Sequence, residues 1–177
     1  MRIRKIDTSR PDDVEQFVSF PFELYRDSAQ WVPPIVSDMR LALNRDEYPF
    51  YRHSTADFFV AEEGDRTLGR ITAVDNQPYN TCHQSKTAFF YYFEVVEDLD
   101  VALALFNAAF DWARDRGLNL MIGPRGLLRG DGHGLLVEGF DHRPAMGVPY
   151  NPPYYATFVE AAGFEKEIDF LSAYLGG

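Results

Sequence analysis

One cysteine, Cys82, in 177 residues excludes an intrachain disulfide, and a chain without disulfides suits a reducing cytoplasm. Cys82 is followed by His83, but sequence neighbours do not make the spatial thiol–imidazole pair that a nucleophile needs, so a structural cysteine is expected. No apolar run approaches the ~20 residues of a membrane span. The start MRIRKIDTSRPDD lacks the apolar centre of a signal peptide. Neither export nor a membrane partner is expected. Positive charge is scarce: 17 basic against 27 acidic side chains give a net charge of -10, with no basic cluster, which argues against nucleic acid. The four histidines, at 53, 83, 133 and 142, fall at no ligand spacing, so no metal is expected. No glycine-rich stretch matches a P-loop or a dinucleotide fingerprint, because Gly130-Asp131-Gly132-His133-Gly134 has the wrong spacing.

What is present can fold. Apolar residues make up 46% of the chain and aromatics 15%, enough for the core of one domain spanning 1–177. Residues 2–7 alternate basic and apolar and read as a first strand. Ser9-Arg10-Pro11-Asp12-Asp13 opens a helix that Pro21 is expected to bend or break. Trp31-Val32-Pro33-Pro34 leads stiffly into a second helix carrying Ile35, Met39 and Leu43. Residues 56–61 and 68–74 form a hairpin, 75–86 read as a polar loop, and 86–96, KTAFFYYFEVV, as a long central strand. Asp98 or Asp100 caps an amphipathic helix ending near Gly117, and 118–122 is a short buried strand. Residues 123–149 form a long connection with six glycines before position 140. The stretch NPPYYATFVEAAGFEKEIDF supplies a last helix, entered through Pro152 and Pro153 and ended by Gly163, and a last strand over 165–175. The order predicts an α/β fold with a mixed sheet and a right-handed crossover.

This element order, with AGFEKEIDF closing the last helix, resembles the GNAT superfamily of N-acetyltransferases. The combination of FPFELY, WVPP, LGRITA and NPPYY is similar to a bacterial acetyltransferase-like branch whose chains are longer. The resemblance implies a cleft where the strand at 87–96 splays from the one at 118–122. Acetyl-CoA or another acyl-CoA would lie there as co-substrate, and the acceptor would be a small-molecule or peptide amine. It places the coenzyme along Val95 and Val96, at the helix start Leu99, Asp100 and Val101, and beside Asn151 and Tyr154. The family's pyrophosphate loop carries glycines, whereas 97–102 here reads Glu-Asp-Leu-Asp-Val-Ala. Those three carboxylates oppose a phosphate yet are good helix-start residues.

Glu94 is the candidate base: buried in an aromatic strand, a carboxyl could accept an amine proton, unless it faces outward or is structurally paired. Tyr155, with Tyr154, could protonate a departing thiolate, although the family's tyrosine position, four residues before the glycine, is Val159 here. Packed rings with bonded hydroxyls are the other reading. Arg125, Arg129 and His133 could bind an acidic substrate group or a phosphate from a mobile loop. An alternative function is an inactive GNAT-like ligand-binding or assembly module. The family sheet supplies two strands after the last helix where one is expected here, so either a longer chain or a second copy should cover that edge.

Overall fold

A computed structural model describes residues 1–128, 130–145 and 148–172. Its elements are β1 (Arg2–Lys5), α1 (Pro11–Leu24), α2 (Val36–Leu43), a 3-10 turn (Pro49–Arg52), β2 (Thr55–Glu63), β3 (Arg66–Asp75), α3 (Gln77–His83), β4 (Thr87–Val95), α4 (Leu99–Asp115), β5 (Leu120–Ile122) and α5 (Tyr154–Ala161). The strands lie in sequence order β1-β2-β3-β4-β5, antiparallel except for the parallel pair β4–β5. The parallel pair is joined by α4, as a crossover requires. β1, at the sheet edge, carries Arg2 and Arg4, both paired to Glu62, and such charge discourages pairing with other chains.

Two apolar layers cover the sheet. On one face Ala88, Phe90, Phe93 and Val95 of β4 pack with Leu105, Phe106 and Ala109 of α4 and with Tyr155 and Phe158 of α5. On the other, Phe89 packs with Phe17 of α1, Phe50, Phe58 and Leu127, while Tyr91 and Tyr92 border the cluster. Strict alternation would put Tyr92 with Phe90 and Phe93 with Phe89. It fails because β4 bulges: the register slips between the Arg70–Glu94 and Thr72–Tyr91 pairs, and Tyr92 takes φ +47°. One extra residue moves every later side chain to the opposite face. Phe93 and Val95 thereby join the α4 layer and Glu94 turns towards α1.

Three expectations are corrected. Pro21 neither bends nor breaks α1, which runs through it to Leu24. A proline withdraws the N–H that would bond the carbonyl four residues back, here Phe17, and the buried Arg70 donates Nη1 to that oxygen at 2.6 Å. Residues 77–83 of the expected loop form α3, because the Asn76 side chain accepts the Tyr79 N–H and Pro78 suits a first turn. Residues 164–172 form no strand, and residues 173–175 of that expected strand lie outside the described residues. Ile168, Phe170 and Leu171 are exposed there.

Asp57 of β2 sits under the edge formed by β1 and the end of α4. Burial alone would push its carboxyl up, but hydrogen bonds from Trp112 and Arg45, with the charges of Lys5 and Arg45, hold it below the usual carboxylate range. A carboxyl whose folded pKa lies below its unfolded value stabilises the fold above the unfolded value, about 4. That stabilisation disappears as pH falls through the folded value. Urea midpoints measured from pH 6 down to pH 2 should therefore fall below about pH 4. Asp57→Asn should start lower and show a smaller acid-dependent drop.

Candidate active site

β4 and β5 pair over only three residues, Thr87–Leu120, Ala88–Met121 and Phe89–Ile122. The chain then turns away at Gly123, where an added Cβ would lie 2.5 Å from the Phe90 ring. Arg125 N–H reaches back to the Phe90 carbonyl at 2.8 Å. Beyond that point the strands part, as a splayed pair should. The backbone of Val95 faces the opening, since the next N–H, on Val96, already bonds Leu68 of β3 at 2.9 Å.

α5 fills the opening with two hydroxyls. Val95 N–H donates to Tyr155 Oη at 2.7 Å, and Tyr154 Oη donates to Val95 O at 2.8 Å. The helix is set by Pro153 before it and by Gly163 after it, whose φ of +93° is the left-handed turn expected from the sequence. Phe164 then folds back onto Phe90, Phe106 and Phe110. Tyr155 is fully buried and accepts from Tyr25 Oη at 3.4 Å. Burial, then the neighbouring Tyr25 and Glu94, raise its pKa well above the ordinary phenol value. Tyr154 is half-buried, and burial pushes its pKa up to about 12. Both hydroxyls keep their protons at neutral pH.

Glu94 is a paired carboxylate. Its Oε2 receives Arg70 Nε at 2.7 Å, and its side chain retains 19% exposure against 1% for Arg70. Arg70 also lies over the Phe17 and Tyr92 rings at 4.7 and 5.0 Å. A buried guanidinium with two oxygen acceptors and two ring faces is well compensated. The Glu94 charge is felt at the opening, where, after burial, it helps to raise Tyr25 and Tyr155.

The start of α4 is closed to anions. Asp98 Oδ1 accepts the N–H groups of Asp100 and Val101 at 3.0 and 3.3 Å, so donors that a pyrophosphate would need are used by the cap. Glu97 and Asp100 stand beside it, exposed, and the site as it stands does not fit a coenzyme pyrophosphate. Asp98→Ala should free both N–H groups and remove one charge, at about 1 kcal/mol of stability. Tighter pyrophosphate binding by calorimetry is the expected result, and unchanged affinity in folded protein would move the anion site elsewhere.

Other sequence candidates lie apart from Val95. The Asn151 amide is committed to the backbone of Leu136 and to Pro152 O, which pins the long connection. Arg125 meets β4 at Phe89 and Phe90, about 15 Å along the strand from Val95, with its guanidinium 5.0 Å from the Tyr79 and Phe89 rings. His133 bridges to Arg125 and sets its ring against Phe170. Arg129 lies outside the described residues. Sequence reasoning missed Arg70 and Tyr25. An arginine at an inward position of LGRITA was the available signal for the first, and the second has none. A wall of rings, Phe22, Trp31, Tyr25 and Tyr150, continues from the opening.

Comparison with solved structures fits this geometry. A tandem GNAT protein from the clavulanic acid biosynthesis pathway matches 92% of this chain and 43% of its own at TM-score 0.60 and 16% identity. A predicted acetyltransferase from Clostridium acetobutylicum with acetyl-CoA matches 98% and 95% at TM-score 0.60 and 12% identity. The fold is that of the GNAT acetyltransferases. A further neighbour, an aminoglycoside acetyltransferase from an uncultured soil metagenomic sample in complex with sisomicin, has TM-score 0.57 at 14% identity, and the match covers 99% of this chain and 96% of its own. Two curated proteins are closer in sequence to this GNAT-fold chain. Protein YghO of Escherichia coli is 32% identical over 161 residues, 91% of this chain and 41% of that protein. A bacterial ceramide synthase of Caulobacter vibrioides is 30% identical over 168 residues, 94% of this chain and 44% of that protein. The chain thus spans less than half the length of the curated relatives it matches. No family model matches it. No helix among the described residues is long and apolar enough to cross a membrane, and no described group of side chains could hold a metal ion.

Proposed function

We propose that this chain is the GNAT-fold part of an acyl-CoA-dependent N-acyltransferase acting on a long-chain amine. The observation that carries the reading is the parting of β4 from β5 after three residue pairs, which turns the Val95 backbone towards an opening beside two protonated tyrosines. Backbone donors at such an edge can bind a thioester carbonyl and stabilise the charge it gains. The amine nitrogen bonds the acyl carbon, the carbon–sulfur bond breaks, sulfur gains a proton and nitrogen loses one. Tyr154, half-buried and protonated, is the nearer source for sulfur, since Tyr155 is sealed in the core. Glu94 Oε1, opposite the oxygen held by Arg70, is the acceptor for the amine proton. A thioester carbonyl that accepts the Val95 N–H displaces Tyr155 Oη, and Tyr154 must leave Val95 O to reach sulfur.

The acceptor class rests on two supports. A relative matching 94% of this chain is named a ceramide synthase, and a ceramide is the amide of a fatty acid with a long-chain amino alcohol. The ring wall from Phe22 to Tyr150 suits an alkyl chain. The test incubates the chain with acetyl-CoA or palmitoyl-CoA and a long-chain amino alcohol, and measures thiol release and the amide by mass spectrometry. Amide formation with palmitoyl-CoA is expected; none with any acyl-CoA overturns the reading. The Asp98 cap favours a second reading, in which this part of a longer protein binds no coenzyme and serves as a ligand-binding or assembly module. Calorimetry separates the two: saturable acyl-CoA binding to the folded chain supports the first, and its absence supports the second.

A further inference from the structure

Three cations converge on one carboxylate at the end of the sheet where β4 and β5 are paired. Arg45, in the turn after α2, sets Nη2 2.7 Å from Asp57 Oδ1. Lys5 of β1 and Arg116, the C-cap of α4, each reach Oδ2 at 3.3 Å. Trp112 Nε1 adds a neutral donor to the same oxygen at 2.8 Å. The Asp57 side chain is only 9% exposed, while those of Lys5, Arg45 and Arg116 are 57%, 41% and 36% exposed, so the charged heads lie above their shared partner.

Pairing Asp57 requires one of these cations, and the other two are surplus. The neighbouring Asp7 acts on Arg45 as well, but it also acts on Arg10, so this second anion is offset by a fourth cation and the excess stands. The excess stands out in a chain of net charge -10. Three like charges around one anion repel one another, and a second anion relieves that repulsion. The donors are also held in place. Arg116 stacks on Trp112 at 3.9 Å, while Arg45 lies 5.5 Å from the Tyr51 ring and donates Nε to Thr8 at 3.1 Å. Two fixed guanidiniums and an ammonium suit a tetrahedral oxyanion better than a single carboxylate.

We propose that Lys5, Arg45 and Arg116 form a site for a phosphomonoester dianion, carried by a small molecule or by a lipid headgroup. The site is separate from the acyl-transfer opening. α4 runs from Leu99 to Asp115, and its 17 residues put Arg116 about 25 Å from the Asp98 cap. A coenzyme phosphate at one end therefore does not account for the cations at the other.

The test uses the whole chain at low salt with two probes: inorganic phosphate followed by calorimetry, and sedimentation with vesicles of phosphatidylcholine with or without phosphatidic acid. Lys5→Gln is the first variant, because Lys5 is the most exposed of the three and, among the described residues, donates only to Asp57. Lys5→Gln/Arg116→Gln is the second. Saturable binding that weakens about fivefold with each cation removed supports the site. Binding of phosphate but not of vesicles assigns a small-molecule source, and binding to phosphatidic acid vesicles far stronger than to phosphate assigns a headgroup. Absence of saturable binding to both probes, or binding that the double variant leaves unchanged, overturns the proposal.

Discussion

Arg70→Met should lower the unfolding free energy by about 3 kcal/mol, read from urea denaturation at pH 7. Arg70 is 1% exposed and supplies hydrogen bonds to Glu94 and to the Phe17 carbonyl. Removing one partner of a buried ion pair costs about 3–5 kcal/mol because the other is left uncompensated. The lower end applies here because Glu94 keeps 19% exposure and can recover some hydration. The Phe17 carbonyl has no such recourse, since Pro21 cannot supply the helical N–H. Pro21→Ala gives an internal comparison: it restores that N–H beside an acceptor already occupied, and its effect should stay below about 1 kcal/mol. A loss for Arg70→Met no larger than that for Pro21→Ala would mean that the ion pair contributes little and that β4 and α1 are held by their rings alone.

Glu94→Gln should lower kcat about a hundredfold with little change in KM, because a proton acceptor acts chiefly in the transition state. Glutamine is the informative replacement. Its amide oxygen can still accept from Arg70, so the fold is preserved while the charge is lost. The reacting oxygen would be Oε1, since Oε2 is held at 2.7 Å by Arg70. An unchanged kcat would limit Glu94 to anchoring Arg70. A rise in KM at constant kcat would make it a binding group. Removing the Glu94 charge also removes one of the influences that raise Tyr25 and Tyr155, so both phenols should titrate lower in the variant. That spectroscopic change requires no substrate.

The sequence by itself determined most of the elements, because each rests on local chemistry. Two apolar runs on either side of the turn Glu62-Glu63-Gly64-Asp65 made the β2–β3 hairpin legible, Asp98 marked the start of α4, and Gly163 marked the end of α5. The order strand, helix, strand over 87–122 carried the GNAT-like sheet and the place where it opens. α3 was missed because a seven-residue helix lacks an apolar stripe and depends on its Asn76 cap.

Only the tertiary structure decided the candidate site. The run FFYYFEV is too evenly aromatic to reveal a bulge, and a tyrosine at φ +47° has no residue signature as a glycine would. That single extra residue sends Glu94 to Arg70 and puts Val95 within reach of both α5 tyrosines. The same holds for Pro21. By sequence it is a helix breaker, but the residue that accommodates it, Arg70, lies 49 positions further along the chain. Asp57 and its three cations come from β1, β2, the turn after α2 and the end of α4. Propensity and spacing act over a few residues, whereas these partners meet only when the sheet and its two apolar layers have assembled.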